Sequence, residues 1–198
     1  MLDKSIPYFN IIMRRNAGID IPEVKLPDGY YFSMYSIGDE EYWAEIETSV
    51  GEFDNISEAI EYFNDEYLPY SKELERRMIF IETESGEKVA TSTIWWNYTG
   101  EKKDPSLNWI GVKPEYQGLG LGKAIVFQTL KRMLEVDGDE KVYLHTQTWS
   151  YKAIGIYLQA GFQFLKNETF GEYENDYSKA LEILENKIRI DILDFRCI

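Results

Sequence analysis

Three glycines at alternate positions, Gly118, Gly120 and Gly122, separate a strand-like run from a helix-like one. The segment reads Trp109-Ile-Gly-Val-Lys-Pro-Glu-Tyr-Gln-Gly-Leu-Gly-Leu-Gly-Lys123. Pro114 breaks the strand, and the glycines let the backbone turn tightly into a helix. A strand, a glycine turn and a helix in direct succession restrict the chain to folds that mix the two element types. The outward N–H groups of such a turn, with the helix dipole behind them, make an anion site. Two common phosphate loops do not fit. A Walker loop would need Gly at 117 and Ser or Thr at 124, and the chain has Gln117 and Ala124. A dinucleotide fingerprint begun at Gly118 and Gly120 would need a third glycine at Lys123.

The rest of the chain alternates short elements. Residues 1–28 hold Pro7, Pro22 and Pro27 and read as an irregular N-terminal arm, ahead of one domain over residues 29–198. An aromatic strand is expected at 30–36. A helix follows from Asp39, with Trp43, Ile46 and Val50 on one stripe and Gly51 as its stop. Asn55 starts a second helix that runs to about residue 67. Residues 78–84 and 89–97 form a hairpin about Ser85-Gly86, and residues 107–112 a fourth strand. Helix 120–136, strand 142–148, helix 150–160 and strand 162–165 complete a β-α-β-α-β run. A helix at 178–187 and a last strand at 188–195 end the chain. The expected class is α/β (mixed α+β), a single domain on a mixed, twisted and mostly antiparallel sheet flanked by helices.

Composition removes several functions. Among 198 residues there are 21 Lys plus Arg against 35 Asp plus Glu, a net charge of −14. That balance argues against nucleic acid and against anionic membranes. No apolar run reaches the ~18 residues of a membrane helix, and the N-terminus lacks a signal-peptide pattern, so the chain reads as cytoplasmic. One Cys, Cys197, and one His, His145, leave no disulfide framework and no metal-ligand cluster, so no metal is expected.

Gln117-x-x-Gly120-x-Gly122 directly after a strand resembles the pyrophosphate-binding motif of the GNAT superfamily of acyl-CoA N-acyltransferases. A second segment strengthens the resemblance. Ala153-Ile-Gly-Ile-Tyr157-Leu-Gln-Ala-Gly161-Phe162 starts 31 residues after Gly122 and resembles the family's Ala-x-x-x-Tyr-x-x-x-Gly-Phe. The two together cover roughly residues 30–165. The resemblance implies a sheet splayed between the strands at 107–112 and 142–148, with acetyl-CoA as cosubstrate in the gap.

Residue by residue, the resemblance implies that the backbone of Ile110, Gly111 and Val112 pairs with the pantetheine arm. Gln117, Gly118, Leu119, Gly120, Leu121, Gly122 and Lys123 would hold the pyrophosphate, mostly through main-chain N–H groups. Where the family often has Asn three residues before the Ala of the second segment, this chain has Ser150, a shorter hydroxyl. Tyr157 corresponds to the tyrosine beside the coenzyme sulfur and suits a general acid for the leaving thiolate. Glu47 lies beside the apolar stripe of the first helix. Glu47, then Glu52 in the following turn, are the candidates for the acceptor-ammonium contact or general base. The only histidine, His145, reads as a buried, hydrogen-bonded strand residue, and Asn108 suits a water relay. Trp95, Trp96 and Trp109 read as core or pocket wall. Tyr62, Phe63, Tyr67 and Tyr70 fit either the acceptor mouth or the packing of the second helix. No Cys lies near either motif, which favours direct transfer in a ternary complex.

The expected activity is acetyl-CoA-dependent N-acetylation of a primary amine. A protein or peptide acceptor, a longer acyl donor, and a coenzyme A-binding regulatory module without turnover are the alternatives. The acid is unevenly placed. Residues 38–76 hold 13 acids and 2 bases, a net −11, whereas residues 105–165 hold 5 acids and 6 bases, a net +1. The coenzyme half is therefore near neutral, and the acceptor half favours a small cationic amine steered by the field. Dimers are common in the family, so a homodimer is a further expectation.

Overall fold

The computed structural model describes residues 2–188. The strand expected at 188–195, beyond its first residue, and Cys197 lie outside the described residues. Among the described residues seven strands and six α-helices follow in order: β1 Asn10–Arg15, β2 Tyr30–Met34, α1 Glu40–Val50, α2 Ile56–Glu66, α3 Ser71–Arg77, β3 Met78–Thr83, β4 Lys88–Thr99, β5 Lys102–Val112, α4 Leu121–Val136, β6 Val142–Gln147, α5 Tyr151–Gln159, β7 Gln163–Phe164 and α6 Tyr177–Leu184. The strand order is β2-β3-β4-β5-β6-β1-β7. β2–β3, β3–β4, β1–β6 and β1–β7 pair antiparallel, and β5 pairs with β6 in parallel at Ser106↔Tyr143. This is the expected mixed, mostly antiparallel sheet.

Contacts divide the chain into two compact units. The first comprises Glu23–Ile94 and Trp109–Gly138, hence β2, α1, α2, α3, β3, the start of β4, the end of β5, and α4. Its core packs Ile81, Val89 and Ala90 against Leu121 and Ile125 of α4, with Phe32, Ile110 and Val112 alongside. The second comprises Leu2–Pro22, Trp95–Asn108 and the described residues from Asp139 onward. There Ile12, Tyr143, Leu165 and Phe170 form a cluster.

The helix boundaries follow local chemistry. Glu40 and Glu41 occupy the first turn of α1, and Gly51 ends it at φ 98° while its N–H reaches the carbonyls of Glu47 and Thr48. The Asn55 side chain accepts from the Glu58 N–H, and the Glu58 carboxylate accepts from the Asp54 N–H, so both sides of the α2 entry are satisfied.

Two elements differ from the sequence reading. Residues 10–15, expected inside the irregular arm, form β1, which has β6 on one side and β7 on the other. A strand covered on both faces carries a continuous apolar run, here Ile11-Ile12-Met13, rather than an alternation. Arg15 is equally buried because its guanidinium donates to the carbonyls of Ala160 and Ile19. The remaining described residues up to 29 carry no strand or helix. The second difference is α3, a short helix after Pro69 that contains no long stripe.

α3 is held by an ion pair at its end. Arg77, 5% exposed, donates two hydrogen bonds of 2.7 Å to Asp137 after α4 and one of 2.6 Å to Glu73. The paired geometry satisfies a buried guanidinium that apolar neighbours could not. Arg77→Met is expected to cost about 2 kcal/mol, since both acids stay partly solvated. A thermal melt should show this as a fall in Tm of roughly 4–8 °C.

Candidate functional site

In the first unit the glycine turn runs as the motif requires. Gly118 and Gly120 both have φ 84°, the left-handed region that an L side chain resists. Gly120 is the residue before α4, and Gly122 lies within its first turn. Residues 117–120 are exposed, and a Cβ placed on Gly118 or Gly120 would meet nothing within 4 Å. The loop therefore presents backbone to open space. The first N–H groups of α4, from Leu121, Gly122 and Lys123, have no partner within the helix and point along its axis at that space. Gln117 donates from its side-chain amide to the Val112 carbonyl at 2.9 Å, tying the loop to the end of β5. Lys123 is exposed, with its ammonium 5.5 Å from the Phe127 ring centre. This set fits a pyrophosphate: main-chain donors, a helix N-terminus of sixteen residues and one free-standing cation at the edge.

Glu47 and Gly111 come together from α1 and β5. A Cβ built on Gly111 would lie 2.8 Å from Glu47 Oε1 and 2.9 Å from Ile46 Cγ2. Only a residue without a side chain lets α1 rest this closely on the strand. Glu47 is 1% exposed, and its Oε1 has no hydrogen-bond partner in the protein. Burial, and secondarily the negative charge of Glu52, hold its carboxyl well above the usual carboxylate range. Glu52 itself lies exposed in the turn after α1, its N–H bonded to the Glu47 carbonyl at 3.0 Å. Ile110 and Val112 turn the other way, into the cluster against α4.

Trp43, one turn before Glu47 on α1, centres an aromatic group. Trp109 packs on Trp43 (5.4 Å between ring centres), Phe53 (5.2 Å) and Tyr62 (5.1 Å). Phe63 and Tyr67 pack on Trp43 beneath, while Tyr70 is half exposed. Among the described residues Trp109 is the non-glycine residue with positive φ, at 51°. That conformation costs about 1–3 kcal/mol for a bulky residue and persists where packing over-determines it. Here three rings fix the indole. Trp43 and Phe53 were not among the expected site residues. The signal was present in the Trp43 stripe and in Phe53 between two acids, Glu52 and Asp54.

In the second unit, Ser150 precedes α5 and makes no capping bond with its hydroxyl. Tyr157 lies on α5, 6% exposed, with its ring edge-on to Phe162 at 6.2 Å. His145 on β6 faces Asn10 Oδ1 at 2.8 Å and stacks on Tyr173 at 4.2 Å. Burial lowers its pKa to about 4, so at neutral pH it is an uncharged strand residue. Asn108 accepts from the Ser106 hydroxyl, which in turn accepts from Asn97. Among the described residues no group of three or more His, Cys, Asp or Glu is placed to hold a metal. No helix among them is long and apolar enough to cross a membrane.

The chain is similar to known proteins in sequence and in fold. The sequence matches the acetyltransferase (GNAT) family over residues 37–162. An N-alpha-acetyltransferase of Sulfurisphaera tokodaii is 33% identical over 108 residues, which are 50% of this chain and 64% of that protein. A GCN5-related N-acetyltransferase from Sphaerobacter thermophilus shares the fold at TM-score 0.60 and 19% identity, over 80% of this chain and 49% of that one. Glucosamine-6-phosphate N-acetyltransferase from Arabidopsis thaliana does so at TM-score 0.52 and 18% identity, over 74% of this chain and 98% of that one. The match thus spans somewhat under two thirds of the Sulfurisphaera protein and half of the Sphaerobacter one.

The raised Glu47 pKa has a stability consequence. The folded state holds that proton more tightly than the unfolded chain does. Its contribution is therefore complete below the unfolded value near 4.5 and is lost as pH rises through the folded value. Glu47→Gln, which cannot ionise, should gain Tm relative to the wild type as pH is raised from 5 to 8. Parallel melts across that range check the sign; a constant difference would mean the carboxyl ionises without cost.

Proposed function

This chain belongs to the acetyltransferase (GNAT) family, and on that premise we propose that it is an acetyl-CoA-dependent N-acetyltransferase acting on a primary amine. The observation that carries the reading is the Gly118–Gly120 turn, which opens bare backbone and the N-terminus of α4 to an anion directly after the strand that bears Gly111. Residues 117–123 would hold the coenzyme pyrophosphate, and the backbone of Ile110, Gly111 and Val112 the pantetheine. Ser150 would supply a hydroxyl in place of the longer amide.

The chemistry divides between two residues. Glu47 takes a proton from the acceptor ammonium, leaving a neutral amine that attacks the thioester carbonyl carbon. A carboxyl held above its ordinary range accepts that proton more readily at neutral pH than an exposed one. The tetrahedral intermediate collapses with departure of the coenzyme thiolate, which the Tyr157 phenol protonates; the proton still carried by the new amide nitrogen returns to the phenolate, and Glu47 releases its own to solvent. Glu52, exposed in the turn that carries Phe53, attracts the incoming ammonium, and the clustered rings of Phe53, Tyr62 and Trp109 offer faces for it. Transfer is direct, in a ternary complex.

Tyr157→Phe should lower kcat by about 10²-fold or more, the usual contribution of a positioned acid. The Kd for acetyl-CoA, measured by calorimetry, should stay unchanged. Unaltered turnover would remove Tyr157 as the acid, and binding without any turnover across amine panels would favour a coenzyme A-binding module.

A small cationic acceptor is the favoured substrate, on the strength of the net −11 over residues 38–76. A peptide α-amine is the second reading, favoured by the N-alpha-acetyltransferase of Sulfurisphaera tokodaii. Thiol release measured with polyamines, neutral amines and short peptides separates them. The favoured outcome is highest kcat/KM for the polycation, falling steeply as salt shortens the ~10 Å screening length of 0.1 M solution. Salt-insensitive preference for a peptide would establish the second reading.

A further inference from the structure

Beneath Glu47 the first unit buries more hydrogen-bonding groups than the protein satisfies. Trp43 Nε1, Glu47 Oε1, Thr48 Oγ1, Thr91 Oγ1, Thr93 Oγ1 and Ser33 Oγ are each inaccessible and have no protein partner. The sheet register places the three on strands, Ser33, Thr91 and Thr93, on one face. Ser33 pairs with Phe80, and Phe80 with Thr91, so the three side chains share a face. That face is the one under α1, because the Lys88 ammonium lies over both Phe80 and Tyr42 of α1. β5 lies next to β4 in the sheet, and Gly111 faces α1 as Thr91 does. Gly111 is where the Glu47 carboxyl touches the sheet. Thr93 follows on the same face one pleat further. On α1, Trp43 and Glu47 are four residues apart and so adjacent on one side of the helix.

The inventory is complementary. The indole offers a donor alone, the carboxylate acceptors, and each threonine hydroxyl one donor and two acceptors. None of them is paired directly with another. An internal water forms about three hydrogen bonds to such groups and is the usual way a fold satisfies them.

We propose that Trp43 Nε1, Glu47 Oε1 and the Thr91 and Thr93 hydroxyls bind internal water beneath Gly111, and that this water positions Glu47 as the base. Thr91 and Thr93 are then positioning residues. They hold the water, the water donates to the carboxylate, and the carboxylate keeps enough of its ionised form to accept a proton from the acceptor. The other charged or titratable groups on the packed elements are engaged or lie outside. Lys113 is held by Glu45 and Glu87, Lys88 by Asp39 and Glu82, and the Tyr35 phenol by Glu40. Tyr62 and Tyr67 are held in the ring cluster by Trp43. Glu52 opposes Glu47 through its charge. Water is thus the donor that offsets Glu52.

The inference rests on the reading of Glu47 as base, and its test separates the two. The Glu47 carboxyl is titrated by carbon-13 NMR of Glu-labelled full-length protein, its resonance assigned by its loss in E47Q. In the T91V/T93V double variant the midpoint should rise by about one pH unit, as for loss of a hydrogen bond to the charged form. The acid limb of kcat against pH should move with it while KM for acetyl-CoA holds. T91S/T93S, which keeps the hydroxyls, should retain the wild-type midpoint. An unchanged midpoint in T91V/T93V, with Tm raised by removal of two unpaired hydroxyls, overturns the proposal. If the valine pair does not fold, T91A against T91S carries the same comparison, and equal midpoints there overturn it. A shifted midpoint with full activity in E47Q would uphold the water site and remove Glu47 as base.

Discussion

The packing around Glu47 and the ring cluster depends on the contact between α1 and Gly111. A carboxyl oxygen stands 2.8 Å from where a side chain would begin. That proximity requires glycine on β5, sets how closely α1 lies on the sheet, and places Glu47 out of water. Burial alone would make a charged carboxylate expensive, so the group is held toward its protonated form. Removing the same contact would leave α1 free to ride higher, with Glu47 solvated and an ordinary surface acid. The positive φ of Trp109, two residues earlier, belongs to the same construction. Its indole leaves the line of the strand to fill the space over α1, where Trp43, Phe53 and Tyr62 enclose it.

Side-chain alternation along the glycine-bearing segment sends its residues to opposite faces of the sheet. Ile110 and Val112 point into the cluster against α4, and Gly111 points at α1. The backbone between them is left to bond outward. The strand then runs into the Gly118–Gly120 turn, where Gln117 fastens the loop back to Val112. Anchoring a loop of bare N–H groups by one side-chain bond keeps it open without filling it, which suits an anion carried by a long, flexible coenzyme.

Much of this was legible because it is written in local pattern. The glycine turn announces itself through spacing, and both motif segments sit on elements that periodicity alone identifies. Glu47 was placed beside the stripe of α1 by helical angle, and the structure sets it at the sheet. What was not legible depends on tertiary partners. The run Asn10-Ile-Ile-Met-Arg-Arg15 shows no alternation because both of its faces are covered, and Arg15 is buried by carbonyls distant in sequence. α3 is too short for a period to show, and its hold on the fold is Arg77 reaching Asp137, sixty residues away. The Thr91-Ser92-Thr93 run looks like ordinary strand composition. Its unusual feature, hydroxyls without partners, exists only once the register is known.

The charge arithmetic also changes meaning with structure. Thirteen acids between residues 38 and 76 suggest a strong field over the acceptor side. Several are spent on the fold. Asp39 pairs with buried Lys88, Glu45 with buried Lys113, and Glu73 with Arg77. Glu40 accepts from the Tyr35 phenol, and Glu58 caps α2. Glu47 is held toward neutrality. The field an acceptor meets is therefore weaker than the count implies, and more local. Glu52 and Asp54, both exposed, flank Phe53 in the turn after α1. On the proposed reading, the acids left exposed by the fold, rather than the full count of thirteen, supply the field that favours a cationic acceptor, and salt weakens that field.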